Sequence, residues 1–187
     1  MTENARQQIV ISGVGGQGVL FVTRLLAEAA IAHRLPVLTS ETHGMAQRGG
    51  TVISHLKIGE FASPLIRPGN ADGMFVLKEE NLEAHRGFVR AGGWMVVNTA
   101  SAPVVPEVDV HCIDADAVAR NIDLAKAVNL VLLGCGLARL DRSAAGFYCT
   151  IDDIVRIVEA GPKKDRRLAE SSVAALAAGF SAGRAGT

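Results

Sequence analysis

Apolar residues fall in short, regularly punctuated runs along this chain. The first, Ile9-Val10-Ile11, follows a polar start and predicts a strand, and Val19 to Arg34 then carries its apolar positions at helical spacing. Pro36-Val37-Leu38-Thr39-Ser40 predicts a second, parallel strand. Thr51 to Ile58 alternates apolar and polar residues, as a half-exposed strand does. Phe61 to Asn70, with Pro64, Pro68 and Gly69, reads as a loop. Ala71 to Leu77 then reads as a short buried strand and Lys78 to Phe88 as a short helix. Gly92-Gly93 turns the chain into another buried strand, Trp94 to Asn98. After a loop marked by Pro103 and Pro106, Val108 to Ile113 resumes a strand. Helical patterns follow at Ala115–Asn121, Leu124–Leu140, Ile151–Ala160 and Lys163–Phe180. Asp152-Asp153 suits the positive end of the third of these, and Gly161-Pro162 separates the last two. Ser181 to Thr187 reads as a frayed tail.

Strands alternating with helices predict an α/β fold: a three-layer, open, mixed and mostly parallel sheet with helices on both faces. Neither repeats nor a linker interrupt the pattern. At 187 residues the expectation is one domain over 1–187, with an ordered core at about 8–180. The composition agrees, because 49% of residues are apolar but only 4% aromatic, which suits helices packed tightly on a buried sheet. Lys and Arg number 19 against 19 Asp and Glu, so no basic face for nucleic acid or an anionic membrane is indicated. The polar N-terminus carries no secretion signal, and Gly134 and Gly136 break the longest apolar run. The expected location is the cytoplasm.

Gly13-Val14-Gly15-Gly16-Gln17-Gly18 joins the first strand to the first helix. Gly13, Gly15 and Gly18 have G-x-G-x-x-G spacing, with Gly16 as an extra. Such a turn lets backbone N–H groups and a helix N-terminus face a phosphate or another anion without obstruction. Glu41 lies near where a ribose-binding acid would belong in a dinucleotide fold. The next segment argues otherwise. A parallel crossover takes at least about 10–12 residues including its helix. Only Glu41–Gly50 separates the second strand from Thr51–Ile58, and it is rich in glycine. Thr51–Ile58 is therefore expected to pair antiparallel, so the chain has a Rossmann-like start without the usual dinucleotide-binding topology.

Glu41–Gly50 gathers Glu41, His43, Gln47 and Arg48 among Gly44, Gly49 and Gly50, beyond the C-terminal end of a parallel strand. Ligands usually bind at that edge of an open α/β sheet, so this loop and the glycine turn should be neighbours. Arg48 can make a forked contact to a carboxylate or phosphate, or pair with Glu41 or a partner chain's carboxylate. His43 can donate a hydrogen bond or carry a proton, or simply be solvated. His55, His85 and His111 are dispersed, and no His/Cys/Asp/Glu set has metal-ligand spacing. Cys112, Cys135 and Cys149 form no C-x-x-C pair and read as small hydrophobes, without a disulfide framework or a cluster site. Ser12 lacks a G-x-S-x-G context, and Lys78-Glu79-Glu80 reads as a solvated helix start. No catalytic residue and no metal ligand is assigned.

The two loops in order, Ile11-Ser12-Gly13-Val14-Gly15-Gly16-Gln17-Gly18-Val19-Leu20 and Glu41-Thr42-His43-Gly44-Met45-Ala46-Gln47-Arg48-Gly49-Gly50, carry a family resemblance. The chain resembles the gamma-type component of 2-oxoacid:ferredoxin oxidoreductases. His-Gly-Met-Ala-Gln-Arg-Gly-Gly is similar to the indolepyruvate branch, where this component is called the beta subunit. Looser matches at Ser63–Ile66, Gly93–Thr99 and Asn129–Gly134 extend the resemblance over roughly residues 8–180. It implies a complex that oxidatively decarboxylates a 2-oxoacid, forms acyl-CoA and reduces ferredoxin. It further implies that thiamine diphosphate and the [4Fe-4S] clusters sit in partner chains, with coenzyme A as co-substrate and nothing tightly bound to this chain. By the same resemblance this chain packs against the thiamine-binding subunit and helps to form the coenzyme A site. The positions carried over for binding are Gly13, Gly15, Gly16, Gln17, Gly18, Gln47, Arg48, Gly49 and Gly50. From the residues alone, a self-sufficient NAD(P)-binding oxidoreductase and a non-catalytic interaction scaffold remain open alternatives.

Overall fold

The computed structural model describes residues 6–43, 50–141, 146–161 and 166–185. Gln47, Arg48 and Gly49 lie outside the described residues, as does the side chain of His43. The strands are β1 (Gln7–Val14), β2 (Val37–His43), β3 (Thr51–Ile58), β4 (Ala71–Val76), β5 (Val89–Asn98) and β6 (Asp109–Ile113). The helices are α1 (Val19–Ala32), α2 (Leu82–His85), α3 (Ala115–Asn121), α4 (Val128–Leu140), α5 (Ile151–Glu159) and α6 (Arg166–Ala185). The six strands form one sheet in the order β2-β3-β1-β4-β5-β6.

β1, β4, β5 and β6 run parallel, while β3 is antiparallel to both β1 and β2. The antiparallel pairing expected of Thr51–Ile58 is thus observed, and the expected mixed, mostly parallel α/β sheet is present. β2 points the same way as β1 but is hydrogen-bonded to β3 alone, at the sheet's edge. That insertion separates Glu41 from β1 by a whole strand, so the two parts of a dinucleotide site, phosphate turn and ribose acid, are not on neighbouring strands.

Alternation along β1 divides the core. Ile9 and Ile11 face one side with Val52, Leu56, Phe75 and Val96, under α1, α3, α4, α5 and α6. Val10 faces the other with Ile53, Met74, Val76 and Met95, beneath α2 and loop residues Ile66 and Val105. Helices therefore lie on both faces, but unequally, and the thin face is covered mainly by loops. α1 buries Val22, Leu25, Leu26, Ala29 and Ala30 at helical spacing. Each fully buried Leu or Val there contributes about 1.5–3 kcal/mol. α4 is buried around most of its circumference and crosses α6 at very short range. A Cβ on Gly134 would stand 2.1 Å from the Leu176 carbonyl oxygen, and one on Gly179 would stand 2.0 Å from that of Val131. Only glycine permits this approach.

Several boundaries differ from expectation. β3 is buried along all but its first residue, because it lies between two strands and is covered on both faces. β2 extends through His43, which moves Glu41, Thr42 and His43 from the loop into the strand. Lys78–Phe88 is not one helix but α2 between two 3-10 turns, Glu79–Asn81 and Arg86–Phe88. β5 starts at Val89 and passes through Gly92-Gly93, which absorb a register shift against Ala71 and Gly73 rather than forming a turn. α4 starts at Val128 after a turn over Leu124–Ala127, and α6 continues to Ala185 where a frayed tail was expected.

Candidate functional site

The chain leaves the parallel strands β1 and β4 toward opposite faces of the sheet. β1 leads through the glycine turn to α1 on the thick face, and β4 through Glu79–Asn81 to α2 on the thin face. Neighbouring parallel strands whose connections diverge in this way open a crevice at their C-terminal ends, where open α/β sheets bind ligands. The candidate site is that crevice.

Local chemistry fixes the turn closely. Gly18 caps α1 with a left-handed backbone (φ 78°), and Gly16 is also left-handed (φ 91°). A Cβ on Gly13 would come within 2.8 Å of Val19 and 3.0 Å of the Gln17 amide oxygen. Gln17 folds back over its own loop, where its Oε1 accepts from the Val14 N–H at 2.9 Å and its Nε2 reaches the Leu77 carbonyl at 3.5 Å. The Gln17 N–H donates to the Val14 carbonyl. Gln17 thus shapes the turn rather than projecting from it. α1 has no acidic residue in its first turn and no side-chain cap, so its leading N–H groups have no acceptor from either source.

The second loop joins the first directly. The Gly15 N–H donates to the Gly50 carbonyl at 3.0 Å, and the β1–β3 register sets Val14 opposite Thr51. The neighbourhood expected for the two loops is therefore present through Gly50.

Residues that sequence reasoning did not assign complete the crevice. Asn81 is buried, and its Nδ2 donates to the Gly13 carbonyl at 2.7 Å and to Ser12 Oγ at 3.3 Å. Ser12 Oγ lies 2.7 Å from His85 Nδ1. The Ser12 oxygen has two lone pairs, so the Ser12–His85 bond runs either way according to the His85 tautomer. Burial pushes His85 below the usual histidine range, which favours the neutral ring. Asn98 donates from Nδ2 to the Leu77 carbonyl and to Asp116, while its Oδ1 accepts from the Ala115 N–H. On the rim, Ser101 Oγ donates to Glu79, and hydrogen bonds from Ser101 and then Thr99 hold that carboxyl below the usual range. Lys78 pairs with Glu80 at 3.0 Å rather than facing the turn. A partner of Asn81 lies 68 positions away, so no local motif could have announced it.

The three thiols do not gather with one another or with other ligand side chains as a cluster site among the described residues. Burial raises Cys112, Cys135 and Cys149 above the usual thiol range, which keeps them protonated. Among the described residues no three His, Cys, Asp or Glu side chains converge as a metal site. A surface groove of about 400 Å³ runs between α1, α5 and α6, lined by Phe21, Leu25, Val158 and Leu168. No helix among the described residues is long and apolar enough to cross a membrane.

Comparison with known proteins identifies this arrangement. Residues 8–182 match the family model of pyruvate ferredoxin/flavodoxin oxidoreductase. The chain is 35% identical over 150 residues to the indolepyruvate oxidoreductase subunit IorB of Archaeoglobus fulgidus, covering 69% of this chain and 75% of that protein. Three further archaeal subunits of the same name are spanned over about half their length, at 48%. The fold matches the pyruvate oxidoreductase subunit PORC of Thermotoga maritima with a TM-score of 0.75, at 22% identity and over 94% of this chain and 96% of that one. It also matches a 2-oxoglutarate:ferredoxin oxidoreductase from Magnetococcus marinus, solved with 2-oxoglutarate, coenzyme A and succinyl-CoA bound. There the TM-score is 0.72 at 19% identity, over 98% of this chain and 31% of that one. With a family model spanning residues 8–182, the chain belongs to the pyruvate ferredoxin/flavodoxin oxidoreductase family.

Proposed function

We propose that this chain serves a cytoplasmic, thiamine-dependent complex that oxidises an indolepyruvate-type 2-oxoacid. In balance, the 2-oxoacid and coenzyme A give acyl-CoA, carbon dioxide and a proton, and two electrons pass singly to two ferredoxins. Thiamine diphosphate, on a partner chain, would stabilise the carbanion left by decarboxylation, and [4Fe-4S] clusters on partner chains would carry the electrons. This chain contributes no group to the reacting atoms. It packs against the thiamine-binding subunit and supplies part of the surface that receives coenzyme A.

The observation that carries the reading is the Gly15–Gly50 hydrogen bond, which fastens the two family loops together at the crevice. The ligand's phosphates meet the N-terminus of α1 at Gly16 and Gly18, with Gly13 and Gly15 keeping the backbone free of side chains. Gln17 holds that turn in shape. From the other loop, Gln47, Arg48, Gly49 and Gly50 supply the cationic and backbone contacts, with the Arg48 guanidinium forking onto a phosphate. The neighbouring rim residues Glu79 and Glu80 are acidic, so the Arg48 charge would help to offset them against an anion at this edge. The thiol pattern supports housing the clusters elsewhere.

The test is Arg48→Ala in the complex reconstituted with the thiamine-binding chain. The expected result is normal assembly with the KM for coenzyme A raised about tenfold or more, the scale of a lost charge-assisted contact. A variant that no longer assembles makes Arg48 an interface residue. Unchanged assembly and an unchanged KM remove Arg48 from the site.

A further inference from the structure

Asn81 stands where three pieces of the molecule meet. It ends the 3-10 turn that carries the chain from β4 onto the thin face, yet its side chain reaches under the glycine turn of the thick face. Its Nδ2 donates to the Gly13 carbonyl at 2.7 Å and to Ser12 Oγ at 3.3 Å. On the opposite side, Thr51 Oγ1 lies 3.5 Å from Asn81 Oδ1. Thr51 opens β3 immediately after Gly50, whose carbonyl accepts the Gly15 N–H. One buried amide therefore contacts the base of the first loop and the strand that leads out of the second.

An amide suits this position because it donates and accepts at once. An acid would set an oxygen against the Gly13 carbonyl, and an apolar residue would leave that carbonyl without its partner in a buried place, at a cost of about 1–3 kcal/mol. The Gly13 carbonyl can only accept, so it takes the Nδ2 side of the amide, and Ser12 Oγ accepts from the same nitrogen. The chain Gly13–Asn81–Ser12–His85 thus runs from the floor of the crevice to a half-buried histidine on the thin face.

We infer that Asn81 is a positioning residue: its amide braces the Gly13–Gly18 turn against the start of β3, across the backbone pairing that joins them, and with it holds the geometry of the ligand crevice. The structural part stands on the hydrogen bonds alone, and only its kinetic consequence rests on the proposed coenzyme A site.

The first test is amide hydrogen exchange on the full chain carrying Asn81→Ala or Asn81→Asp. Exchange in the segments containing residues 13–18 and 50–53 should accelerate about tenfold, while Trp94–Asn98 in β5 keeps its native rate. Unchanged exchange at the two loops overturns the inference. A uniform rise throughout the chain also overturns it, since Asn81 would then be an ordinary contributor to stability. Should neither variant fold, Ser12→Ala removes one acceptor and keeps the Gly13 bond. It should give about a threefold rise confined to the same two segments, and no change there counts against the inference. In the reconstituted complex, Asn81→Ala should raise the KM for coenzyme A about tenfold, with kcat held within about twofold. Local acceleration of exchange with an unaltered KM would keep Asn81 as the loop clamp and refute the coenzyme A assignment instead.

Discussion

At Gly18 two constraints coincide, and they separate it from its neighbour Gly16. Both have left-handed backbones, but a Cβ on Gly16 points into open space, whereas one on Gly18 would stand 2.3 Å from the Asn129 amide nitrogen. Gly16→Ala should therefore cost only the backbone penalty, about 1–2 kcal/mol. Gly18→Ala should cost more, and adding Asn129→Ala should recover part of the difference, because the clash is with that side chain. Urea denaturation of the two single variants and the double variant measures this. Equal losses for Gly16→Ala and Gly18→Ala would contradict the packing account. The glycine turn was legible in the sequence because one short stretch contains every glycine it needs. Asn81, Ser12 and His85 were not, since each is ordinary in its own segment and gains meaning only from partners across the sheet.

Among the elements, α5 illustrates what sequence does convey. The acids at its start were read as complementing the helix's positive end, and the structure gives one of them a further task. Asp153 and Thr150 form a reciprocal capping box, in which the Thr150 N–H donates to Asp153 at 2.8 Å and the Asp153 N–H donates to Thr150 Oγ1 at 3.3 Å. Burial opposes ionisation of Asp153, but the Thr150 backbone and hydrogen bonds from His33 and the Thr150 hydroxyl outweigh it and hold the carboxyl below its usual range. Thr150→Ala should cost about 1 kcal/mol of stability, read from the urea midpoint, and no loss would mean that the cap is idle. β3 illustrates the opposite case. Thr51, Ser54, His55 and Lys57 suggest a strand with one wet face, yet Ser54, His55 and Lys57 are buried. The Ser54 hydroxyl has no partner among the described residues, while His55 accepts from the Ile66 N–H through a loop that periodicity cannot foresee. Polar residues were read as exposed because alternation reports chemistry, and burial of an inner strand is decided by what pairs beside it.

Over the whole molecule, the histidines give stability a defined pH dependence. His55, His85 and His111 all lie below the usual range, with burial as the main cause in each. Lys57 and then His85 press His55 further down, while Asp109 partly offsets burial at His111. The unfolded chain, with ordinary imidazoles near about pH 6.5, then binds more protons than the folded one in the acid range. Stability should be fully present above about pH 6.5 and decline as the pH falls toward the depressed folded-state values. Urea midpoints at about pH 8, 6.5 and 5.5 test the sign, and a midpoint that rises on acidification would contradict it.

The same scale holds the central functional claim. β3 inserted between β1 and β2 removes the neighbouring ribose acid of a dinucleotide fold, and Gly15 of the glycine turn bonds to Gly50 just ahead of β3. That architecture suits a subunit that completes a site without containing one. The decisive measurement is turnover of an aryl 2-oxoacid with coenzyme A and a one-electron acceptor, by the purified chain alone and after co-expression with the thiamine-binding, cluster-bearing chain. The chain alone should give no turnover, and the complex should reduce the acceptor in a coenzyme A-dependent way. Robust oxidation of the substrate by the isolated chain with NAD would contradict it.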